Sequence, residues 1–179
     1  MPIFRPGPGP YALAVAMTAI RMGERLLGIG SGTPDLFGAL AVKVGLSGQA
    51  AAVSDEERGA EALRQAAARA GALADVAVTA RGVIPHDRES FDLVVLDCTA
   101  VPAAEAADWL GDALRVLRIG GRLIITERAG ASRLARIFGR RSPSTGGEAT
   151  VHLLETHGLK PARVVAQREG WRFTEGLKR

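Results

Sequence analysis

A short apolar strand that runs directly into a glycine-rich turn is the feature that most constrains how this chain can fold. Residues 25–35, RLLGIGSGTPD, have the order strand, glycine turn and helix start. An apolar segment that ends in AAAVSDEE follows at 50–57, and the run FDLVVLD comes later at 91–97. This order predicts parallel strands whose carboxyl ends hold a ligand of the nucleotide type.

The rest of the chain continues the alternation of strands and helices, which predicts one α/β domain over residues 1–179 with helices on both faces of a sheet. We expect an irregular Pro/Gly-rich arm at 1–10 and a mobile segment at 129–147. Strands are predicted at 25–30, 49–53, 75–80, 91–96, 123–126, 163–167 and 171–177. Helices are predicted at 11–22, from 34 up to 45, from 55 up to 71, and at 103–117, 131–138 and 149–157, with a tight turn at 119–122.

The glycine turn lets the backbone approach a ligand closely, because glycine has no Cβ. The helix that follows presents unpaired N–H groups to such a ligand. The turn reads GIGSGT at 28–33, and it lacks the third glycine that a dinucleotide-binding turn needs three residues after the second. A nicotinamide-dependent enzyme is therefore not expected. A phosphate loop of the Gly-Lys-Ser/Thr type is absent from the sequence too.

Four segments make the chain resemble the class I S-adenosylmethionine-dependent methyltransferases. They are LLGIGSGT, the strand end AVSD at 52–55, ESFDLVVLD and LRVLRIGGRLIITE, and they lie in that family's order between residues 25 and 127. The resemblance implies a doubly wound, mostly parallel seven-stranded sheet with helices on both faces and a reversed last strand. This is the Rossmann-like methyltransferase fold, and the predicted hairpin around 169–170 would supply its reversed strand.

The resemblance also implies where S-adenosylmethionine binds. Gly30, Ser31 and Gly32 would form the turn beneath its methionine part, and Gly28 stands where an acidic residue usually precedes that turn. Asp97, just after the fourth predicted strand, would face the reactive end of the cofactor. Asp97 either contacts a ligand group or caps the turn after that strand, and it is a weak candidate for a catalytic residue.

Two further positions concern the nucleoside part of the cofactor. The residue that takes the ribose hydroxyls in the family falls on Ser54, with Asp55 one place later. The residue that meets the adenine amino group falls on Ala80, with Arg81 beside it. Both positions usually carry an acidic residue in the family. Here Ser54 and Ala80 are uncharged, as is Gly28 at the turn.

The resemblance leaves two functions open. The first is an S-adenosylmethionine-dependent methyltransferase that acts on a small-molecule acceptor, in which the protein aligns the acceptor with the methyl group. The second is a non-catalytic protein of the same fold that serves as a subunit or interaction module. The three uncharged positions motivate the second function, because each removes a hydrogen-bond acceptor from the cofactor.

The charge of the chain is uneven, since residues 122–179 carry twelve Lys or Arg against five Asp or Glu. A basic C-terminal third is typical of a solvated Arg-rich surface, and it also suits a docking surface for a protein partner or a second copy. Nucleic acid is not expected as a partner, because basic and aromatic residues do not alternate there.

Cysteine, histidine and hydropathy set further limits. The single cysteine, Cys98, excludes an intramolecular disulfide, favours a cytoplasmic location and is expected to pack as a small apolar residue. His152 and His157 are five residues apart on a predicted helix, so no metal site is expected there. The apolar stretch at 11–20 has about half of the roughly 20 residues that a membrane span needs.

Overall fold

The computed structural model describes residues 11–100, 107–128 and 145–179. The helices are α1 Ala12–Thr18, α2 Pro34–Val44, α3 Glu57–Ala70, α4 Ala107–Val116 and α5 Thr145–Thr156. The strands are β1 Arg25–Ile29, β2 Gln49–Ser54, β3 Asp75–Val78, β4 Phe91–Cys98, β5 Leu117–Arg128, β6 Ala162–Arg168 and β7 Trp171–Leu177.

All seven strands form one sheet in the order β3-β2-β1-β4-β5-β7-β6. The first five strands pair in parallel, whereas β7 runs antiparallel to β5 and to β6. This arrangement confirms the predicted doubly wound sheet with a reversed last strand. Ile29 pairs with Val53 on one side and with Leu96 on the other, so the carboxyl ends of β1, β2 and β4 lie at one level.

The sheet is covered on both faces, as its strands predict. Consecutive residues of β1 pack on opposite sides, with Leu27 in one buried cluster and Leu26 in the other. Residues of α4 and α5 contribute to the first cluster, and residues of α1, α2 and α3 contribute to the second. Both faces of β2 are buried, which explains why its AAAV run has no polar alternation.

Two predicted features differ from the structure. Helix α1 ends at Thr18 rather than 22, because Ala19 adopts the left-handed conformation with φ of 48°. The predicted turn at 119–122 lies inside β5, where the register shifts between the pairs Phe91–Leu117 and Leu93–Arg122. Gly120 has φ of 76° within that irregular stretch, and its N–H donates to the Lys178 carbonyl at 2.8 Å, which keeps the segment attached to the sheet.

Two smaller differences concern the ends of predicted segments. Strand β3 ends at Val78 rather than 80, and α5 begins at Thr145, so 145–147 are helical rather than part of a loop. The predicted arm at 1–10, the predicted helix at 131–138, the start of the 103–117 helix and most of the 129–147 segment lie outside the described residues.

The end of α1 is tied to the sheet by a single arginine. Arg122 donates to the Thr18 carbonyl at 2.8 Å and forms an ion pair with Glu24 at 3.1 Å. Both side chains are only 17% exposed. A cation at a helix C-terminus is favourable, so Arg122 fixes α1 against the edge of β5.

Candidate functional site

A cavity of about 210 Å³ opens at the carboxyl ends of β1, β2 and β4, where an α/β sheet usually holds its ligand. Six of the nine residues predicted to bind the cofactor line this cavity: Gly30, Ser31, Gly32, Asp55, Arg81 and Asp97. The other three, Gly28, Ser54 and Ala80, do not line it.

The glycines of the turn are required by the protein itself. Gly30 has φ of 86°, and a Cβ at this position would lie 3.0 Å from the Asp97 carbonyl oxygen. A Cβ at Gly32 would collide with the Thr99 hydroxyl. Gly30 also donates its N–H to the Val53 carbonyl at 3.0 Å, which holds the turn against the end of β2. The turn therefore sits tightly between β2 and β4.

The carboxylate of Asp97 caps the start of α2. Its Oδ2 accepts the N–H of Thr33 at 2.5 Å, and its Oδ1 accepts the N–H of Thr99 at 3.0 Å and the Thr99 hydroxyl at 2.6 Å. A negative charge at a helix N-terminus is favourable, and the bond to the residue two places on is typical of an Asp turn. The bonds to Thr99 give Asp97 the predicted capping role at the turn after β4. Asp97 also lines the cavity, so its contact with a ligand stays a prediction.

The neighbouring thiol is not available for chemistry. Cys98 is 4% exposed and belongs to a buried apolar cluster, as expected. Burial raises its pKa, and the negative charges of Asp97 and Glu127 raise that pKa further. Cys98 therefore stays a protonated thiol at neutral pH, and thiols react as thiolates.

At the end of β2 the structure separates two neighbouring residues that the sequence left as alternatives. Ser54 is 2% exposed, and its Oγ accepts the N–H of Glu56 at 3.2 Å. Its hydroxyl lies beside Gly59 of α3, where a Cβ would collide with it. Asp55 lines the cavity instead. Of the two alternatives, Asp55 is therefore the residue that lines the cavity, and the carboxylate of Glu56 follows it there.

Arg81 reaches Asp55 from the next strand along. The Nε and Nη2 atoms of Arg81 lie 2.8 Å from Asp55 Oδ2, so an ion pair joins the segment after β2 to the segment after β3. Both residues line the cavity. Ala80, which the resemblance places against adenine, does not.

Gly28 serves packing rather than the cavity. It lies within β1, and a Cβ there would be 2.7 Å from the ring of Phe37 on α2. The Phe37 side chain is buried, and it fills the space that a side chain at position 28 would need. Gly28 lines only a separate space of about 20 Å³ between β1 and α2.

Comparison with known proteins shows the family to which this chain belongs. The profile of the methyltransferase domain family matches residues 27–125. The chain belongs to this family. The match confirms the class I resemblance and its cofactor, S-adenosylmethionine. A comparison with curated protein sequences finds no match.

Solved structures share the fold of this methyltransferase-domain chain. A SAM-dependent methyltransferase from Aquifex aeolicus is similar with a TM-score of 0.75 and 17% identity, over 95% of this chain and 94% of that one. A putative S-adenosyl-L-methionine-dependent methyltransferase from Methanococcus maripaludis has a TM-score of 0.64 and 17% identity, over 93% and 82%. The (4+2) cyclase SpnF has a TM-score of 0.63 and 18% identity, over 93% and 78%. At these identities the likeness concerns the fold alone.

One large residue that lines the cavity of about 210 Å³ was not predicted from the sequence. Trp109, in the first turn of α4, is not among the predicted site residues. It is 6% exposed and belongs to the buried cluster under α4, yet it also lines the cavity. The helix after β4 begins near the ligand edge of the sheet, and an aromatic residue in its first turn is the signal that could have identified Trp109. The other lining residues that were not predicted are Ile29, Glu56, Leu96 and Ala100.

A larger cavity, of about 550 Å³, lies at the opposite edge of the sheet. It is lined by residues that end α2 and α3 and begin β2 and β3, including Leu46, Gln49, Leu73 and Asp75. Parallel sheets bind ligands at the carboxyl ends of their strands, whereas this cavity lies at the amino ends. The smaller cavity is therefore the candidate cofactor site.

Within 11–100, 107–128 and 145–179, no group of three or more His, Cys, Asp or Glu side chains is placed to hold a metal ion. In the same ranges no helix has the length and apolar character needed to cross a membrane.

Proposed function

We propose that this chain is an S-adenosylmethionine-dependent methyltransferase that acts on a small-molecule acceptor. One observation carries the proposal. The glycine turn and the Asp55 carboxylate line one cavity at the carboxyl ends of β1, β2 and β4, in a chain whose family uses this cofactor. The single cysteine and the family together support a cytoplasmic location.

The residues around the cavity offer groups that suit the parts of the cofactor. The Asp55 carboxylate is an acceptor for the ribose hydroxyls. The backbone amides of Ser31 and Gly32 donate to no other group within the described ranges, and such amides suit the carboxylate of the methionine part. Trp109 and Leu96 provide apolar surface for the adenine ring.

When bound, S-adenosylmethionine supplies a methyl group on a positively charged sulfur, which a nucleophile can take in an in-line displacement. The contribution that we propose for the chain is alignment of the acceptor with this methyl group. The Asp97 carboxylate already accepts three hydrogen bonds from the protein, and Cys98 is a buried thiol. Asp97 is therefore assigned to holding the turn under the cofactor.

Asp55→Asn is the first test of this function. The change replaces the charged carboxylate, whose oxygens would accept hydrogen bonds from the ribose hydroxyls, with a neutral amide. A hydrogen bond to a charged group contributes about 1.5–3 kcal/mol. We expect S-adenosylmethionine to bind about ten- to a hundredfold more weakly, measured by isothermal titration calorimetry.

Asp75→Asn is the matched control, because Asp75 is exposed and lies at the opposite edge of the sheet. This variant should bind the cofactor as the unchanged chain does. Equal binding by the Asp55 variant and the unchanged chain would contradict the proposed site.

A second function, a non-catalytic subunit or interaction module, is favoured by one observation. The cavity of about 210 Å³ is smaller than the roughly 300–1,000 Å³ that is usual for small-molecule sites. The same calorimetric titration separates the two functions. Binding in the micromolar range supports the enzyme, and the absence of binding at millimolar cofactor supports the module.

A further inference from the structure

We propose that Arg81 is a positioning residue, which orients the Asp55 carboxylate toward the ribose hydroxyls and so makes the site selective for ribonucleosides. This inference rests on the proposed function, since it concerns the nucleoside part of the same site. Arg81 would act through Asp55, and its contribution would be to specificity for the sugar rather than to the methyl-transfer step.

The first reason is that the sheet does not hold Asp55. The last residue of β2 that pairs in the sheet is Ser54, opposite Val78, and Asp55 follows it. Ser54 itself is buried and turned toward α3, beside Gly59. Asp55 therefore lies one residue beyond the last residue that strand pairing holds in place, and the orientation of its carboxylate depends on other contacts.

Arg81 gives that support with a defined geometry. Its Nε and Nη2 atoms both lie 2.8 Å from Oδ2 of Asp55. Within the described parts of the chain, Arg81 is the only hydrogen-bond partner that this carboxylate has. The guanidinium is planar and its donors are fixed relative to one another, so two contacts restrict how the carboxylate can turn.

The same geometry leaves acceptor capacity for a ligand. Both arginine atoms bind Oδ2, and no protein donor in the described ranges binds Oδ1. A carboxylate has about four lone-pair positions, so Oδ1 and part of Oδ2 remain for two hydroxyls. A ribose offers two adjacent hydroxyl donors, whereas a dideoxyribose offers neither of them. Selectivity for the ribose follows if Arg81 holds the carboxylate in place.

Exposure separates this positioning role from a structural one. The side chain of Arg81 is 50% exposed and that of Asp55 is 30% exposed. Exposed ion pairs contribute little to folding stability. A change at Arg81 should therefore alter nucleoside binding while the melting temperature of the protein stays nearly constant.

The experiment compares adenosine with 2′,3′-dideoxyadenosine as probes, titrated into the full chain and followed by NMR chemical shifts. We expect Arg81→Ala to weaken adenosine binding about five- to tenfold and to leave dideoxyadenosine binding unchanged. Arg81→Lys should recover only part of the loss, because an ammonium group lacks the planar pair of donors. In an Asp55→Asn background, Arg81→Ala should have no further effect.

Arg69→Ala is the matched control. Arg69 forms an ion pair with Asp35 at 2.8 Å, and neither residue lines the cavity. It should leave the binding of both nucleosides unchanged. The inference is overturned if the Arg81→Ala variant binds adenosine as tightly as the unchanged chain or more tightly. It is also overturned if that variant loses affinity for both nucleosides equally.

The outcome also distinguishes this inference from the proposed function. If the unchanged chain binds S-adenosylmethionine and Arg81→Ala has no effect on adenosine, the inference alone fails. If the unchanged chain binds adenosine with the predicted dependence on Arg81 but does not bind S-adenosylmethionine, the proposed function alone fails. An unchanged chain that binds neither compound overturns both.

Discussion

At the scale of single residues, the site depends on which side chain turns toward the cavity. Ser54 and Asp55 are adjacent, yet only Asp55 lines the cavity, because the Ser54 hydroxyl is directed toward Gly59. Gly28 likewise differs from its predicted place, because the Phe37 ring occupies the space beside it. Both outcomes depend on contacts with helices that come later in the chain.

Gly30→Ala tests the glycine turn. An alanine at φ of 86° is strained, and its Cβ would lie 3.0 Å from the Asp97 carbonyl oxygen. We expect a loss of about 1–3 kcal/mol in the free energy of unfolding, measured with urea, together with weaker S-adenosylmethionine binding.

Gly170→Ala is the control for strain alone. Gly170 has φ of 77° and nothing within 4 Å of its Cβ position. Its variant should lose some stability and keep cofactor binding. If the Gly30 and Gly170 variants behave alike in both measurements, the turn does not contribute to the site.

Asp97→Asn tests the capping role at the same turn. The amide removes the charge at the start of α2 and replaces one acceptor oxygen with a donor that faces the N–H of Thr33 or of Thr99. We expect a loss of about 1–3 kcal/mol in unfolding free energy. An Asp97 that acts only on a ligand would show unchanged urea denaturation with reduced activity.

The sequence predicted the glycine turn and the parallel strands beside it, because both depend on local chemistry. Gly30 needs a positive φ, and the apolar runs at 25–29 and 91–96 identify buried parallel strands. It could not predict the contact of Arg81 with Asp55, since that pair joins residues 26 apart through two separate strand ends. Trp109 was missed for a related reason, because one side chain both packs in the core and lines the cavity.

At the scale of elements, α4 holds the segment between β3 and β4. Arg115 of α4 donates to the carbonyls of Ile84 at 2.8 Å and His86 at 2.7 Å, and it also pairs with Asp112 at 2.6 Å. Asp112 accepts the N–H of Ile84 at 2.7 Å. This network fixes the segment that begins near Arg81, so it connects α4 with the edge of the cavity.

Asp112→Asn tests this network through pH. The hydrogen bond from Arg115 lowers the pKa of Asp112, and the Ile84 N–H lowers that pKa further. A carboxyl whose pKa is lower in the folded state stabilises the protein above its unfolded pKa of about 3.9, and this stabilisation is lost as pH falls through the folded value. The unchanged chain should therefore lose stability below about pH 4.

The Asp112→Asn variant should be less stable at pH 7 by about 1–2 kcal/mol, and its stability should fall less between pH 5 and pH 2, measured by urea denaturation. Asp108→Asn is the control, because Asp108 is an exposed residue in the first turn of the same helix. If the Asp112 and Asp108 variants show the same pH dependence, the network does not stabilise the fold.

At the scale of the whole molecule, the alternation of strands and helices predicted an α/β sheet covered on both faces. The family resemblance implied that this sheet is doubly wound and has seven strands. The reversed β7 was predicted from the family resemblance and the hairpin around 169–170. The turn predicted at 119–122 was wrong because hydrogen bonds to Lys178, near the end of the chain, keep that segment in the sheet.

The basic C-terminal third stays a prediction as a docking surface. Its described part includes the edge strand β6, where Arg163 and Arg168 lie. Charged residues on an edge strand disfavour pairing with other sheets. Arg163 and Arg168 therefore disfavour edge-to-edge pairing at β6.

The most direct test of the central claim is a crystal structure of the chain grown with S-adenosylhomocysteine. The account predicts density in the cavity of about 210 Å³, with the ribose hydroxyls on Asp55 and the amino-acid part over Gly30–Gly32. Density at the amino ends of β2 and β3, or a cavity filled by the protein's own side chains at saturating ligand, would contradict it.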